Sequence, residues 1–267
     1  MTNNDTPPAQ VEVFQLPTGS YETPAALAFR GGSFRDRRQF AATAVLVRHP
    51  RGDVLVDAGF GAHAEEHIRM LPAFRRSPHH LGATASEQLD AAGYDRSRLL
   101  GVLLTHSHWD HASGLDSLDV PVLVTPEELR YAAGSRGDRV FSRVVAGHDL
   151  RVYAFDGPPH LGFPASHDLH GDGSVVILPA PGHTTGSVVV LVTERPDRRF
   201  AFIGDLTWQL DGIERGAQRP LLMRLLADSD PARVRQDLAR LAAFPPDVRI
   251  VPAHDARGYA GIPLLGA

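Results

Sequence analysis

An α/β fold, with sheets covered by helices, is what the amino-acid sequence predicts. Two observations predict it. Short runs rich in β-branched residues alternate with stretches of helical periodicity along the whole chain. Strands and helices are mixed throughout instead of being gathered at opposite ends, so the helices are expected to cover sheet faces. The longest apolar runs, such as Val188–Val192, are strand-sized and far shorter than the roughly 20 residues a membrane-spanning helix needs.

The elements follow in order. Strands are expected at "VEVFQL" (11–16), "TAVLVR" (43–48), "DVLVD" (53–57), "GVLLT" (101–105) and "PVLV" (121–124). Further strands are expected at "RVYAF" (151–155), "SVVIL" (174–178), "SVVVLVT" (187–193), "RFAFIG" (199–204) and "VRIVP" (248–252). "RHPRGD" (48–53) reads as the turn of a hairpin. A helix is expected in "TPEELRYAAG", with Thr125 as N-cap, Pro126 at the first helical position and Gly134 past the end. "TASEQLDAAG" (84–93) has the same form, with Gly93 as its stop. "DPARVRQDLARLAAF" (230–244) places Val234, Leu238, Leu241 and Ala242 at helical spacing behind Asp230 as cap. Residues 209–228 have weak periodicity and read as a loop or short helix over a pocket.

No repeat, low-complexity tract or linker divides the 267 residues, and 1–267 read as a single domain. The formal net charge of −4 offers no general attraction to nucleic acid or anionic lipid. The arginine clusters "FRDRR" (34–38) and "FRRS" (74–77) read as solvated loops. There is no cysteine and no lysine. Disulfides, thiolate ligands, cysteine nucleophiles, Schiff-base lysines and P-loop lysines are therefore excluded. The start, "MTNNDTPPAQ", is polar and lacks the basic and apolar regions of a signal peptide, so a cytoplasmic location is expected.

The chemistry concentrates in four places. "LLTHSHWDH" (103–111) packs three histidines and an aspartate behind a strand. If the chain stays extended there, His106 and His108 point to one side, while Asp110 and His111 follow where it turns toward a helix. Two ligands then meet at one point and two at a neighbouring point, which suits two metals better than one. "PAPGHTTGS" (179–187) presents His183 at a turn, "FIGDLTW" ends a strand at Asp205, and "IVPAHD" ends another at His254. Sites beyond strand C-termini are the usual place for chemistry in α/β proteins. The remaining histidines (49, 63, 67, 79, 80, 148, 160, 167 and 170) follow no ligand spacing.

These residues resemble the metallo-β-lactamase superfamily through "THSHWDH" (105–111), "PGHTTGS" (181–187), "GD" (204–205) and "AHD" (253–255). "VLVDAGFG" (54–61) resembles its early Asp-x-Gly turn. The resemblance implies an αβ/βα sandwich, two mixed sheets flanked by helices, with the site at one edge. It implies His106, His108 and His183 on one metal, and Asp110, His111 and His254 on a second. Asp205 would bridge the two, and Asp57 would orient a ligand histidine.

The nitrogen and oxygen donor set favours two zinc ions, with iron, manganese and cobalt as alternatives. The superfamily's di-iron oxygen-chemistry variant has Glu in place of His108, so hydrolysis is expected. Five neutral imidazoles and two carboxylates around two divalent ions leave a charge of about +2, which favours a bridging hydroxide as nucleophile. Asp110 and Asp205 are the expected catalytic carboxylates, Asp110 also moving a proton.

Among the superfamily, the chain most resembles the quorum-quenching lactonases, which open acyl-homoserine lactones and related esters. They usually carry Tyr three residues after the bridging Asp; here that residue is Trp208, whose indole can donate one hydrogen bond but is no equivalent acid. Phe60, Phe141 and Trp208 are expected to wall an apolar substrate pocket. Phosphodiesters, thioesters and β-lactams on the same centre are the alternatives, followed by a metal-binding protein without turnover. A small-molecule substrate is expected, with no nucleic-acid or membrane partner, and a homodimer is expected by analogy alone.

Overall fold

The computed structural model describes residues 10–266. Two mixed sheets lie face to face. The larger contains β1 (Glu12–Pro24), β2 (Arg37–Arg48), β3 (Asp53–Val56), β4 (His79–Leu81), β5 (Leu99–Leu103), β6 (Val122–Val124) and β7 (Leu150–Val152), in the order β4-β1-β2-β3-β5-β6-β7. The smaller contains β8 (His167–Asp168), β9 (Val175–Pro179), β10 (Val188–Arg195), β11 (Arg198–Phe202) and β12 (Val248–Val251), in the order β12-β11-β10-β9-β8. In the larger sheet β3, β5, β6 and β7 run parallel; in the smaller, β11 and β12 do.

Side-chain alternation along the strands builds the layers. Val45, Val47, Val54, Val56 and Leu103 face Val175, Ile177, Val188, Val190 and Phe202 between the sheets. Their neighbours Ala44, Leu46, Leu55 and Val102 point the other way, onto Ile68, Leu89 and Phe141 of outer helices. On the far side, Leu178, Leu191 and Ala201 pack against Leu241 and Leu238 of the helix Pro231–Ala242. Each fully buried leucine or valine contributes about 1.5–3 kcal/mol. The result is the expected αβ/βα sandwich.

The helix signals act as read. Thr84 forms a capping box with Glu87, Thr125 caps Pro126–Ala133, and Asp230 caps Pro231–Ala242. Each cap stabilises its helix by about 1 kcal/mol. Residues 209–228 contain two short helices, Asp211–Glu214 and Leu221–Ala227. Among the described residues no helix is long and apolar enough to cross a membrane.

The first strand is longer than its sequence suggests. It passes an irregularity between Pro17 and Gly19 and pairs on through Tyr21 opposite Phe40 as far as Pro24. The short β4 pairs with this extension, so His79 and His80 lie in an edge strand, not in a loop. The "FRDRR" cluster also differs from expectation. Arg37 and Arg38 open β2, paired with Glu22 and with Asp36 and Asp211 respectively.

Candidate metal centre

The candidate ligands gather where strands of both sheets end. Asp57 follows β3, His106 follows β5, Asp205 follows β11 and His254 follows β12; His183 stands in the turn between β9 and β10. The chain is still extended at His108, which then precedes the short helix Trp109–Ala112 carrying Asp110 and His111. Gly204 has φ +50, and a Cβ there would come within 2.9 Å of Thr105 Oγ1. Only glycine enters this turn without strain, and it sets Asp205 against the His106 loop.

Two groups of donors result: His106, His108, His183 and Asp205, and beside it Asp110, His111 and His254. In the first, His108 Nδ1 lies 3.1 Å from His106 Nε2 and 2.9 Å from His183 Nε2. Asp205 Oδ2 lies 3.3 Å from His183 Nε2 and 3.9 Å from His106 Nε2. In the second, His254 Nε2 lies 3.5 Å from Asp110 Oδ2. Asp205 Oδ1 lies 3.0 Å from His254 Nε2 and 3.3 Å from His111 Nε2. Asp205 therefore turns one oxygen to each group. Donors about 2.0–2.1 Å from one tetrahedral ion stand about 3.3 Å apart, so these separations suit a cation in each group.

The outward ring nitrogens point to the same fit. His183 Nδ1 meets Asp228 at 3.0 Å, His111 Nδ1 meets Asp57 at 2.7 Å, and His254 Nδ1 meets the Ala41 carbonyl at 2.7 Å. Each acceptor places the ring proton outside and leaves the Nε2 lone pair facing inward. His106 Nδ1 lies against Thr105 Oγ1 and His108 Nε2 against the Tyr131 hydroxyl. Inside, His111 Nε2, His254 Nε2 and Asp205 Oδ1 are buried and meet no hydrogen-bond geometry among the described residues. Buried polar atoms left this way are costly, and a divalent cation is the ligand this donor set fits.

Charge separates the groups. Burial holds His106 and His108 well below the usual imidazole range, and neighbouring imidazoles add to it. Burial acts on His111 and His254 too, but carboxylates outweigh it and both are raised. Asp57 and Asp205 act on His111, and Asp205 and Asp110 on His254. Burial opposes ionisation of Asp205, yet His254 and His111 hold it well below the usual carboxylate range.

Asp57 itself sits at φ +57, uncommon for a residue with a side chain. It accepts from the Thr105 backbone at 2.7 Å and hydroxyl at 2.9 Å, as well as facing His111. A strained residue held by three polar contacts is typical of a functional position.

Of the three residues expected to wall a pocket, two do not. Phe60 is 1% exposed and stacks on Trp109, and Phe141 is 2% exposed among the outer helices. Both belong to the core, because the loop and helix that carry them turn inward onto the larger sheet. Trp208 is half-buried, and its indole N–H donates to Asp205 Oδ2 at 2.7 Å.

Several residues at the site carry no motif. Tyr21 donates its hydroxyl to Asp110 Oδ2 at 3.1 Å, and burial followed by the charges of Asp110 and Asp205 keeps that phenol protonated. Glu128 accepts from the Ser107 backbone and hydroxyl, the Thr184 hydroxyl and the Gly186 backbone, tying the two histidine-bearing loops together. A Cβ at Gly186 would meet the Glu128 nitrogen at 2.1 Å, so this junction also requires glycine. Arg219 bonds Asp228 and the Asp205 carbonyl, and lies over the Trp208 ring.

With the geometry in place, kinship is clear. Residues 37–254 match the Metallo-beta-lactamase superfamily, and the chain belongs to it. Its nearer sequence kin include a protein of Mycobacterium tuberculosis named "Probable metallo-hydrolase", 32% identical over 238 residues, which cover 80% of this chain and 74% of that one. An acyl-coenzyme A thioesterase of Homo sapiens is 30% identical over 175 residues, 61% of this chain and 57% of its own. A hydroxyacylglutathione hydrolase of a Shewanella species is 28% identical over 189 residues, 64% of this chain and 54% of its own. Among solved structures, an N-acyl homoserine lactone hydrolase superposes with a TM-score of 0.75 at 16% identity, over 98% of this chain and 99% of that chain. A dizinc quorum-quenching lactonase gives 0.66 at 15% identity, over 94% and 89%. At such identities these two likenesses are of fold.

Proposed function

We propose that this chain is a dinuclear metal-dependent hydrolase that opens a lactone or carboxylic ester. One observation carries the reading: Asp205 presents one carboxylate oxygen to each of two histidine groups. A structural metal closes its shell with four protein ligands, whereas seven donors shared between two points leave positions for substrate. His106, His108 and His183 would hold one ion, Asp110, His111 and His254 the other, and Asp205 both. Zinc suits the donor set, and the ions would supply Lewis acidity toward the scissile carbonyl and toward water.

The chain's own groups do the rest. Asp110 takes the proton of the attacking water and returns it to the departing oxygen. Tyr21, donating to Asp110 Oδ2, holds that carboxylate in place and brings a phenol to the site. Trp208 pins Asp205 through its indole N–H instead of offering an acid.

A thioester is the second reading, favoured by sequence kinship. The thioesterase and the hydroxyacylglutathione hydrolase are 30% and 28% identical, against 16% for the lactone hydrolase. The test is proton release by zinc-loaded protein given a long-chain acyl-homoserine lactone or an acyl thioester, with Asp205→Ala as blank. Lactone turnover is expected. Turnover of the thioester alone moves the assignment to thioesters. Two bound ions and no hydrolysis of either would overturn the hydrolase reading for both substrate classes.

A further inference from the structure

A cavity of about 420 Å³ lies behind the candidate metal centre, between the helices of the 209–228 segment and the helix Pro231–Ala242. Four arginines line it: Arg30, Arg219, Arg224 and Arg235. No carboxylate among the described residues lines it. Among the described residues, only Arg219 of the four makes an ion pair, with Asp228. Nearby acids are engaged elsewhere: Asp211 with Arg38, Arg215 and Arg257, Asp230 with Arg233, and Asp237 with Arg240. Arg30, Arg224 and Arg235, gathered around one cavity without a paired carboxylate, repel one another. Two of the four also have unmet donors, for the buried Nε atoms of Arg219 and Arg224 have no hydrogen-bond partner among the described residues. Arg219 is 3% exposed, so bulk water does not meet that need.

From this geometry we infer an anion site of phosphate type, separate from the metal centre and linked to it. Guanidinium forks match the oxygens of a phosphoryl group, and the cavity has ample room for one. The anion would neutralise the cluster and accept from the orphaned Nε–H groups of Arg219 and Arg224. The link is Arg219. Its Nη1 bonds Asp228, which faces His183 Nδ1 at 3.0 Å, and its Nη2 bonds the backbone carbonyl of Asp205. An anion on Arg219 thus bears on one candidate ligand of the first group, through Asp228, and on the backbone of Asp205, which both groups share. The phosphoryl group belongs either to a free anion or to the tail of a phosphorylated substrate.

The test is calorimetric titration of inorganic phosphate into metal-loaded protein, wild type against Arg30→Ala/Arg235→Ala. Both arginines are exposed and neither touches the candidate ligands, so the variant should fold. Saturable binding is expected, weakened about tenfold or more by losing two of the four guanidinium charges around the cavity. Equal affinity in the two proteins would place the phosphate on the metals and overturn the site, as would no binding at millimolar phosphate. A nucleoside 3′,5′-bisphosphate binding tighter than phosphate, with the same loss in the variant, would assign the site to a substrate tail. Weaker binding with that loss would assign it to the free anion.

Discussion

The two donor groups share Asp205 and the Thr105 hydroxyl but differ in most of their surroundings. Around His106, His108 and His183 the surroundings are imidazoles and hydroxyls, with Asp228 behind one ring. Around His111 and His254 stand Asp57 and Asp110. Burial therefore lowers the basicity of His106 and His108, while carboxylates raise that of His111 and His254. The mechanical supports differ as well. The first group is tied by Glu128 across two loops from different sheets, and the second hangs on the strained turn at Asp57. The supports meet at Thr105, whose hydroxyl donates to Asp57 and lies against His106, so the two sites can be weakened unequally but not independently.

Asp205→Ala should break the pair altogether. Metal content should fall below two ions per chain, and kcat/KM should drop by about a thousandfold or more. Elemental analysis beside turnover checks this, and two retained ions with normal turnover would remove Asp205 from the bridging role. Glu128→Gln should come next. Its amide would set a donor against the Ser107, Thr184 and Gly186 donors, lowering stability by about 3 kcal/mol in a denaturant titration. The ion on His106, His108 and His183 should weaken with it.

The sharpest comparison is Asp228→Asn against Asp57→Asn. Each should lower the affinity of its nearer ion by about 10–100-fold and that of the other by much less. Stepwise chelator competition separates the two ions, and equal losses at both sites in either variant would mean the groups act as one unit. Tyr21→Phe should retain both ions and lose about tenfold in kcat, with KM little changed. His79→Ala, at the edge strand and away from the donors, should alter neither metal content nor turnover.

The candidate donors are more legible in the sequence than their surroundings. His106, His108, Asp110 and His111 are legible because a strand, a turn and a helix succeed one another within nine residues, so local periodicity alone assigns their directions. Tyr21 is hidden because "PTGSYETP" looks like a turn. An irregularity at Pro17–Gly19 lets the strand continue instead, and pairing with β2 and β4 holds the extension in place. Phe60 and Phe141 lie in the core against expectation because an aromatic near a ligand motif has the same local pattern whether it faces a pocket or the core. Arg219 and Glu128 carry no signal, since an arginine or glutamate near a helix end is ordinarily solvated.

By itself, then, the sequence determined the alternation of strands and helices, the helix caps and the identity of the candidate donors. All of these depend on neighbours a few residues away. Tertiary structure alone decided that both oxygens of Asp205 are used, that Glu128 joins the two histidine loops, and that four arginines share a cavity. Those contacts join residues far apart in the chain. Long-range packing of two sheets sets them, and local spacing carries no information about it.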